Sequence, residues 1–140
     1  FGIGSDSNIR ISLSEELRQL EYSQRLLHKG RAVLATEAHS TGRVLLEGAA
    51  HGGALAAGRD CGEISVGKLA DLTALNTNKT DLMDVTGDAV LDTYIFAGDD
   101  SWVSDVWSAG RHVVKNGRHI RHEAITTGYR DTMKNLRARL

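Results

Sequence analysis

The 140-residue chain contains no proline, where average usage of about 5% would give several, and its composition offers no physical reason for the gap. Cysteine is nearly as scarce. Cys61 stands alone, so it cannot close an internal disulfide and has no second thiol with which to hold a metal, which fits a reducing compartment, the cytoplasm being the simplest. Aromatic residues are few, with two Trp, three Tyr and two Phe, so aliphatic side chains must fill the core. Neither sign of charge dominates: 17 basic and 18 acidic residues leave a net charge of -1, with no long run of either, so neither nucleic acid nor a membrane surface is expected as a partner. No apolar run approaches the roughly 20 residues of a membrane span, and no signal peptide is visible. What remains, at 41% hydrophobic residues, is enough for one core.

The chain is organised around its first eight residues. Phe1 and Ile3 alternate with glycines, as in a short buried strand closely approached by its neighbours, and the polar run Ser5-Asp6-Ser7-Asn8 ends it. A carboxylate is thereby placed at the C-terminal lip of a strand, where loops of parallel α/β folds converge around a pocket. Ser12 with Glu15 has the form of a capping box and predicts a helix over about 13–29, with Leu13, Leu17, Leu20 and Leu27 on one stripe and Gly30 as its left-handed cap. Strand, loop and helix make one βα unit, whose unpaired sheet edges read as the C-terminal piece of something longer. A second helical segment is expected around Arg31 to Glu37. Ser40-Thr41 then caps a third helix through Ala57, ended by Gly58. That helix is crowded with small residues from Gly48 to Ala57. Each internal glycine costs up to about 1 kcal/mol relative to alanine, so the run predicts another backbone packed close against it.

From Cys61 the texture turns to β. Residues 62–75 read as strand, glycine turn, strand, with Leu69, Leu72 and Leu75 as core candidates. A polar loop follows, then a short helix over Asp88 to Phe96 and a turn at Gly98-Asp99-Asp100. Val103 to Trp107 and Arg111 to Val114 form two strands, and Asn116-Gly117 is a type I′ hairpin signal. Ile125, Tyr129, Met133, Leu136 and Leu140 recur at helical spacing, predicting an amphipathic helix from about Glu123 to Leu140. By themselves, Trp102 and Trp107 read as hydrophobic anchors, Asp71 as a structural strand-edge residue, His119 and His122 as solvated, and Asp6 as an Asx-turn or helix-cap residue.

Phe-Gly-Ile-Gly-Ser-Asp-Ser-Asn at 1–8 resembles the eighth barrel strand of the amidohydrolase superfamily. Gly62-Glu63-Ile64-Ser65-Val66-Gly67-Lys68-Leu69-Ala70-Asp71-Leu72 resembles that superfamily's return to its small β-sandwich, and Val103 to Gly117 resembles its final hairpin. Within the superfamily, Ser5 to Ser12, Glu15-Glu16-Leu17-Arg18, Leu20-Glu21-Tyr22, Gly52-Gly53-Ala54 and Thr93 to Gly98 are similar to the N-formimino-L-glutamate deiminases of histidine degradation. The resemblance implies an α/β fold. It comprises the C-terminal part of a (β/α)8 TIM-type barrel, its last strand and helices (1–59), part of a small composite β-sandwich (60–121) and a C-terminal helix (122–140).

The resemblance further implies a zinc-dependent hydrolase whose metal is held by a His-x-His pair, a later histidine and the strand-eight aspartate. Only the aspartate is present, at Asp6, implied both as metal ligand and as the catalytic group that moves protons. Ser7, Asn8 and Arg10 are candidates for touching a small-molecule substrate. The expected partners are the missing N-terminal part of the same protein and a second copy, as a homodimer. Two alternatives stay open: another amidohydrolase deaminase acting on a purine or other nitrogen heterocycle, and a non-catalytic binding or assembly module.

Overall fold

Local capping and a few long-range polar contacts decide where the helices of this chain start and stop. A computed structural model describes all residues, Phe1 to Leu140. Helix α1 spans Leu13–His28. Ser12 caps it as expected, its hydroxyl accepting from the Glu15 amide at 3.3 Å, and Glu15 and Glu16 place negative charge in the first turn, where the helix dipole favours it. The end differs from expectation: Lys29, not Gly30, takes the left-handed position, at φ 51° and ψ 38°. Of the leucine stripe, Leu17 is fully buried while Leu13 and Leu27 lie open to solvent.

The helix expected at 31–37 does not form. The amides of Val33 and Leu34 instead donate to the Glu21 carboxylate, each at 3.0 Å, and Ala32 sits at φ 50°. A backbone amide given to a side chain is lost to a helical ladder. Glu21 is completely buried and also accepts from the Arg25 guanidinium at 2.7 Å. Burial pushes its carboxyl up, but the Arg25 bond and the two amides outweigh that and hold it below its ordinary value.

Helix α2 spans Thr41–Ala57 between Ser40 and Gly58, the caps read from the sequence. Its small-residue face is covered within the chain, since a methyl at Gly48 would overlap the Phe1 ring and one at Gly52 the Phe1 carbonyl. The close backbone approach expected there is thus made by the opening segment. That segment, however, is not a strand: no regular element precedes α1, because no other part of the chain offers it a ladder partner.

Helix α3 (Asp88–Phe96) crosses the start of α2 closely. Asp92 accepts from the Gly42 amide at 2.6 Å. Asp88 accepts from the Ser40 amide at 3.3 Å and from Arg43 at 2.5 Å, and the Arg43 bond draws its carboxyl below the ordinary range. Two carboxylates therefore serve the free amides of the α2 N-terminus. At the other end of α3, Arg18 donates to the carbonyls of Ile95 and Gly98, both at 2.7 Å. A Cβ on Gly42 would come within 2.6 Å of the Asp92 nitrogen. Gly42→Ala is thus expected to force the two helices apart and to cost about 1–3 kcal/mol, read as a drop in thermal midpoint; an unchanged midpoint would show that the crossing yields freely.

The three helices enclose a small core in which Leu17, Leu45 and Ile95 are fully buried, joined by Ala49, Leu82, Tyr94 and Trp102. Beside it lies one antiparallel sheet in the order β1-β2-β3-β4, made of Leu72–Leu75, Val103–Ser108, Arg111–Lys115 and Arg118–His119. Only the end of the stretch 62–75 is strand. Gly62 and Gly67 sit at φ 93° and 91°, and Ile64 and Val66 between them are almost fully exposed. The Asn116-Gly117 turn follows its sequence signal, with φ 50° and 73°. The β2–β3 turn is fastened to β1 by Asp71, which accepts from the Ala109 amide at 2.6 Å and from Arg59 at 2.8 Å. The Arg59 bond, then the Ala109 amide and Cys61, lower the Asp71 carboxyl to about 2, in keeping with its structural reading. Trp102 is buried, and Trp107 stacks on His112 at 4.4 Å between ring centroids.

The last helix, α4, spans His122–Arg137 and buries none of its residues. Its apolar stripe is present, but Ile125, Tyr129 and Leu136 all remain exposed. In all, 14 of 140 residues are buried, so most of the apolar surface outside the three-helix core has no cover from this chain.

Candidate active site

The sequence directs attention to Asp6, and the structure places it in a tight turn leading into α1. The turn is closed by the Asn8 amide donating to the Ser5 carbonyl at 2.7 Å. Asp6 takes φ 41°, a left-handed conformation that Asp and Asn tolerate better than most residues. Its carboxylate is exposed, as is Ser7 beside it. Asp6 thus lies in a turn closed by backbone alone: its carboxylate accepts no hydrogen bond from a neighbouring amide and Ser12 caps α1, so it is neither the Asx-turn nor the helix-cap residue that its local sequence suggested.

The other candidates are engaged with α1. Asn8 donates its side-chain amide to Glu16 Oε1 at 2.7 Å, and Arg10 pairs with Glu15 at 2.8 Å. A guanidinium already facing a carboxylate is a weaker partner for an anionic substrate than a free one, because the pair must first be opened. Behind them, Ser12 Oγ lies 3.1 Å from Asp100 Oδ1 and 3.3 Å from Ser14 Oγ, joining the loop to the turn that follows α3. Buried Tyr94 lies close by: burial first, then the charges of Asp100 and Asp99, push its hydroxyl up. Sequence reading did not find the Asn8–Glu16 and Ser12–Asp100 contacts. Glu16 figured only within the stretch Glu15-Glu16-Leu17-Arg18 that carries the family resemblance, and Asp100 lies 88 residues from Ser12.

Nowhere in the chain do three His, Cys, Asp or Glu side chains come together in a way that could hold a metal ion. A catalytic zinc takes about three protein ligands and leaves a position for water. Asp6 alone does not meet that requirement. His119 and His122 do not help, since His119 Nδ1 accepts from the Arg121 amide at 3.1 Å and His122 begins α4. These residues by themselves therefore do not build a zinc centre.

Comparison with known proteins turns the resemblance into an assignment. The amidohydrolase family pattern matches residues 1–113, from the segment that carries the Asp6 turn into β3. This chain belongs to the amidohydrolase family. Its relatives include the formimidoylglutamate deiminase of Pseudomonas aeruginosa, 46% identical over 124 residues, which are 88% of this chain and 27% of that protein. Among solved structures, an amidohydrolase from Brucella melitensis superposes with a TM-score of 0.85 at 43% identity, over 97% of this chain and 30% of that one. An adenosine deaminase from Xanthomonas campestris with bound zinc superposes with a TM-score of 0.71 at 26% identity, over 96% of this chain and 30% of that one. The amidohydrolase chain described here thus spans less than a third of the length of these relatives. No helix in it is long and apolar enough to cross a membrane.

Proposed function

We propose that this chain is the C-terminal portion of a zinc-dependent formimidoylglutamate deiminase, which hydrolyses N-formimino-L-glutamate to N-formyl-L-glutamate and ammonia in histidine degradation. The observation that carries the reading is the exposed Asp6 carboxylate, held in a closed turn at the start of the family-matching segment. The identity to the Pseudomonas deiminase supports the choice of substrate. In this reading residues 1–59 end a barrel, 60–121 belong to a small β-sandwich and 122–140 form the closing helix. The exposed apolar residues Ile9, Ile11, Ile64 and Val66 then meet parts of the protein outside these 140 residues.

A metal in such a site supplies an acidified water near neutral pH. The part played by this chain is narrower: Asp6 contributes one carboxylate, accepts a proton from the attacking water and returns it to the nitrogen that leaves as ammonia. In this reading the remaining metal ligands and the groups that hold the glutamate moiety are supplied from outside these 140 residues. The reading also implies a cytoplasmic homodimer, to be checked by the mass of the native protein in solution.

The test is ammonia release by the longer protein from N-formimino-L-glutamate, with adenosine assayed beside it and bound zinc counted. Ammonia from the first substrate together with about one zinc per chain is expected. Turnover of adenosine alone would favour the heterocycle deaminase suggested by the Xanthomonas likeness, and a folded, metal-free protein inert on both would favour the binding module.

A further inference from the structure

The turn that carries Asp6 is tied to the rest of the molecule at one side-chain contact. Asn8 does two things there: its backbone amide closes the turn on the Ser5 carbonyl at 2.7 Å, and its side-chain amide donates to Glu16 Oε1, also at 2.7 Å. Glu16 stands on rigid backbone, its own amide bonded to the Ser12 carbonyl at 3.1 Å in the first turn of α1. Ser12 is in turn buried and held by the Glu15 amide and Asp100. The chain of contacts therefore runs from the core, through the α1 N-terminus, to the backbone on which the Asp6 carboxylate is mounted. Asp6 itself is exposed and strained toward the left-handed region, so its direction depends on the turn being kept closed.

From this geometry we infer that Glu16, through Asn8, is a positioning residue for Asp6. The inference rests on the deiminase reading above. Glu16 touches neither the reacting atoms nor Asp6; it fixes the Asn8 side chain, Asn8 fixes the turn, and the turn aims the carboxylate. The contact is a hydrogen bond from an amide to a carboxylate, so what matters is an acceptor oxygen at position 16 and not its charge. Glu16→Gln keeps that oxygen and Glu16→Ala removes it. The exchange Asn8→Asp with Glu16→Gln reverses donor and acceptor and restores the bond, whereas Asn8→Asp alone sets two carboxylates against each other.

The experiment is a kinetic series on the longer deiminase, with Asp6→Asn as the reference. Misplacing a catalytic group by about 1 Å can cost about 100-fold, so Glu16→Ala and Asn8→Asp are expected to lower kcat about 10- to 100-fold with KM little changed. Glu16→Gln and the double exchange should keep most of the parent rate. A second readout needs no turnover: hydrogen exchange at the Asn8 amide should speed up in Glu16→Ala and return toward the parent rate in Glu16→Gln. If Glu16→Ala fails to fold, the comparison of Asn8→Asp with the double exchange decides. The inference is overturned if Glu16→Gln loses as much activity as Glu16→Ala, if the double exchange brings no recovery over Asn8→Asp, or if Glu16→Ala leaves kcat unchanged while Asp6→Asn abolishes it. Full activity in Asp6→Asn would instead overturn the deiminase role of Asp6, and the positioning role with it.

Discussion

Asp6→Asn in the longer protein is expected to lower ammonia release from N-formimino-L-glutamate by about 100- to 10,000-fold, the range for removing a general acid–base group, while leaving the fold in place. The choice of asparagine matters. Asp6 sits at φ 41°, where Asn is tolerated about as well as Asp and alanine less readily, so Asp6→Ala would mix lost chemistry with backbone strain. Asn also matches the size of the side chain and removes only its charge and proton-accepting oxygen. Because Asp6 is exposed, substitution should shift stability by no more than about 0.5 kcal/mol, as at other surface sites. Activity assays paired with thermal midpoints read both quantities. A mutant with parental turnover would remove Asp6 from the reaction, and one that lost activity together with tens of degrees of stability would reassign it to the fold.

The elements that were legible in the sequence are those decided within a few residues. The Ser12 and Ser40 caps, the Gly58 stop, the short helix at Asp88–Phe96 and the Asn116-Gly117 turn all follow from local signals and appear where those signals put them. The helix expected at 31–37 failed for a reason no local window contains: a glutamate 12 and 13 residues upstream takes the amides of Val33 and Leu34. The same holds for 62–71, where alternating Ile64 and Val66 look like a strand, yet no neighbouring segment pairs with them and both face solvent. Periodicity states which face is apolar, not whether anything covers it, and the bare stripe of α4 repeats the point. At the candidate site, Asp6 was legible as a candidate only through the family resemblance, since by its local pattern alone it read as an Asx-turn or helix-cap residue. Its tether was not, because the Asn8–Glu16 bond spans eight residues across a loop of no regular period.

Glu21 is the position where substitution should cost the fold most. It is fully buried and holds three donors, the amides of Val33 and Leu34 and the Arg25 guanidinium. Glu21→Ala would leave two backbone amides without acceptors and one cation without its partner, and removing one side of a buried charged pair costs about 3–5 kcal/mol. Glu21→Gln keeps one acceptor oxygen but turns an NH2 group toward the remaining donors, so a loss of about 1–3 kcal/mol is expected. The damage should be local before it is global: amide exchange at Val33 and Leu34 should accelerate first, ahead of the residues flanking Leu17 and Leu45. The pH dependence has a definite sign. The carboxyl is held below its ordinary value of 4.5 in the folded protein, so the unfolded chain binds the proton more readily. The stabilisation is therefore complete above about pH 4.5 and is lost as pH falls through the lower folded value. Between pH 7 and pH 5 the difference in stability between the parent protein and Glu21→Gln should stay constant, and it should shrink below pH 4.5. A difference that instead grew on acidification would mean that the carboxyl is protonated in the folded state, and that burial outweighs the three donors.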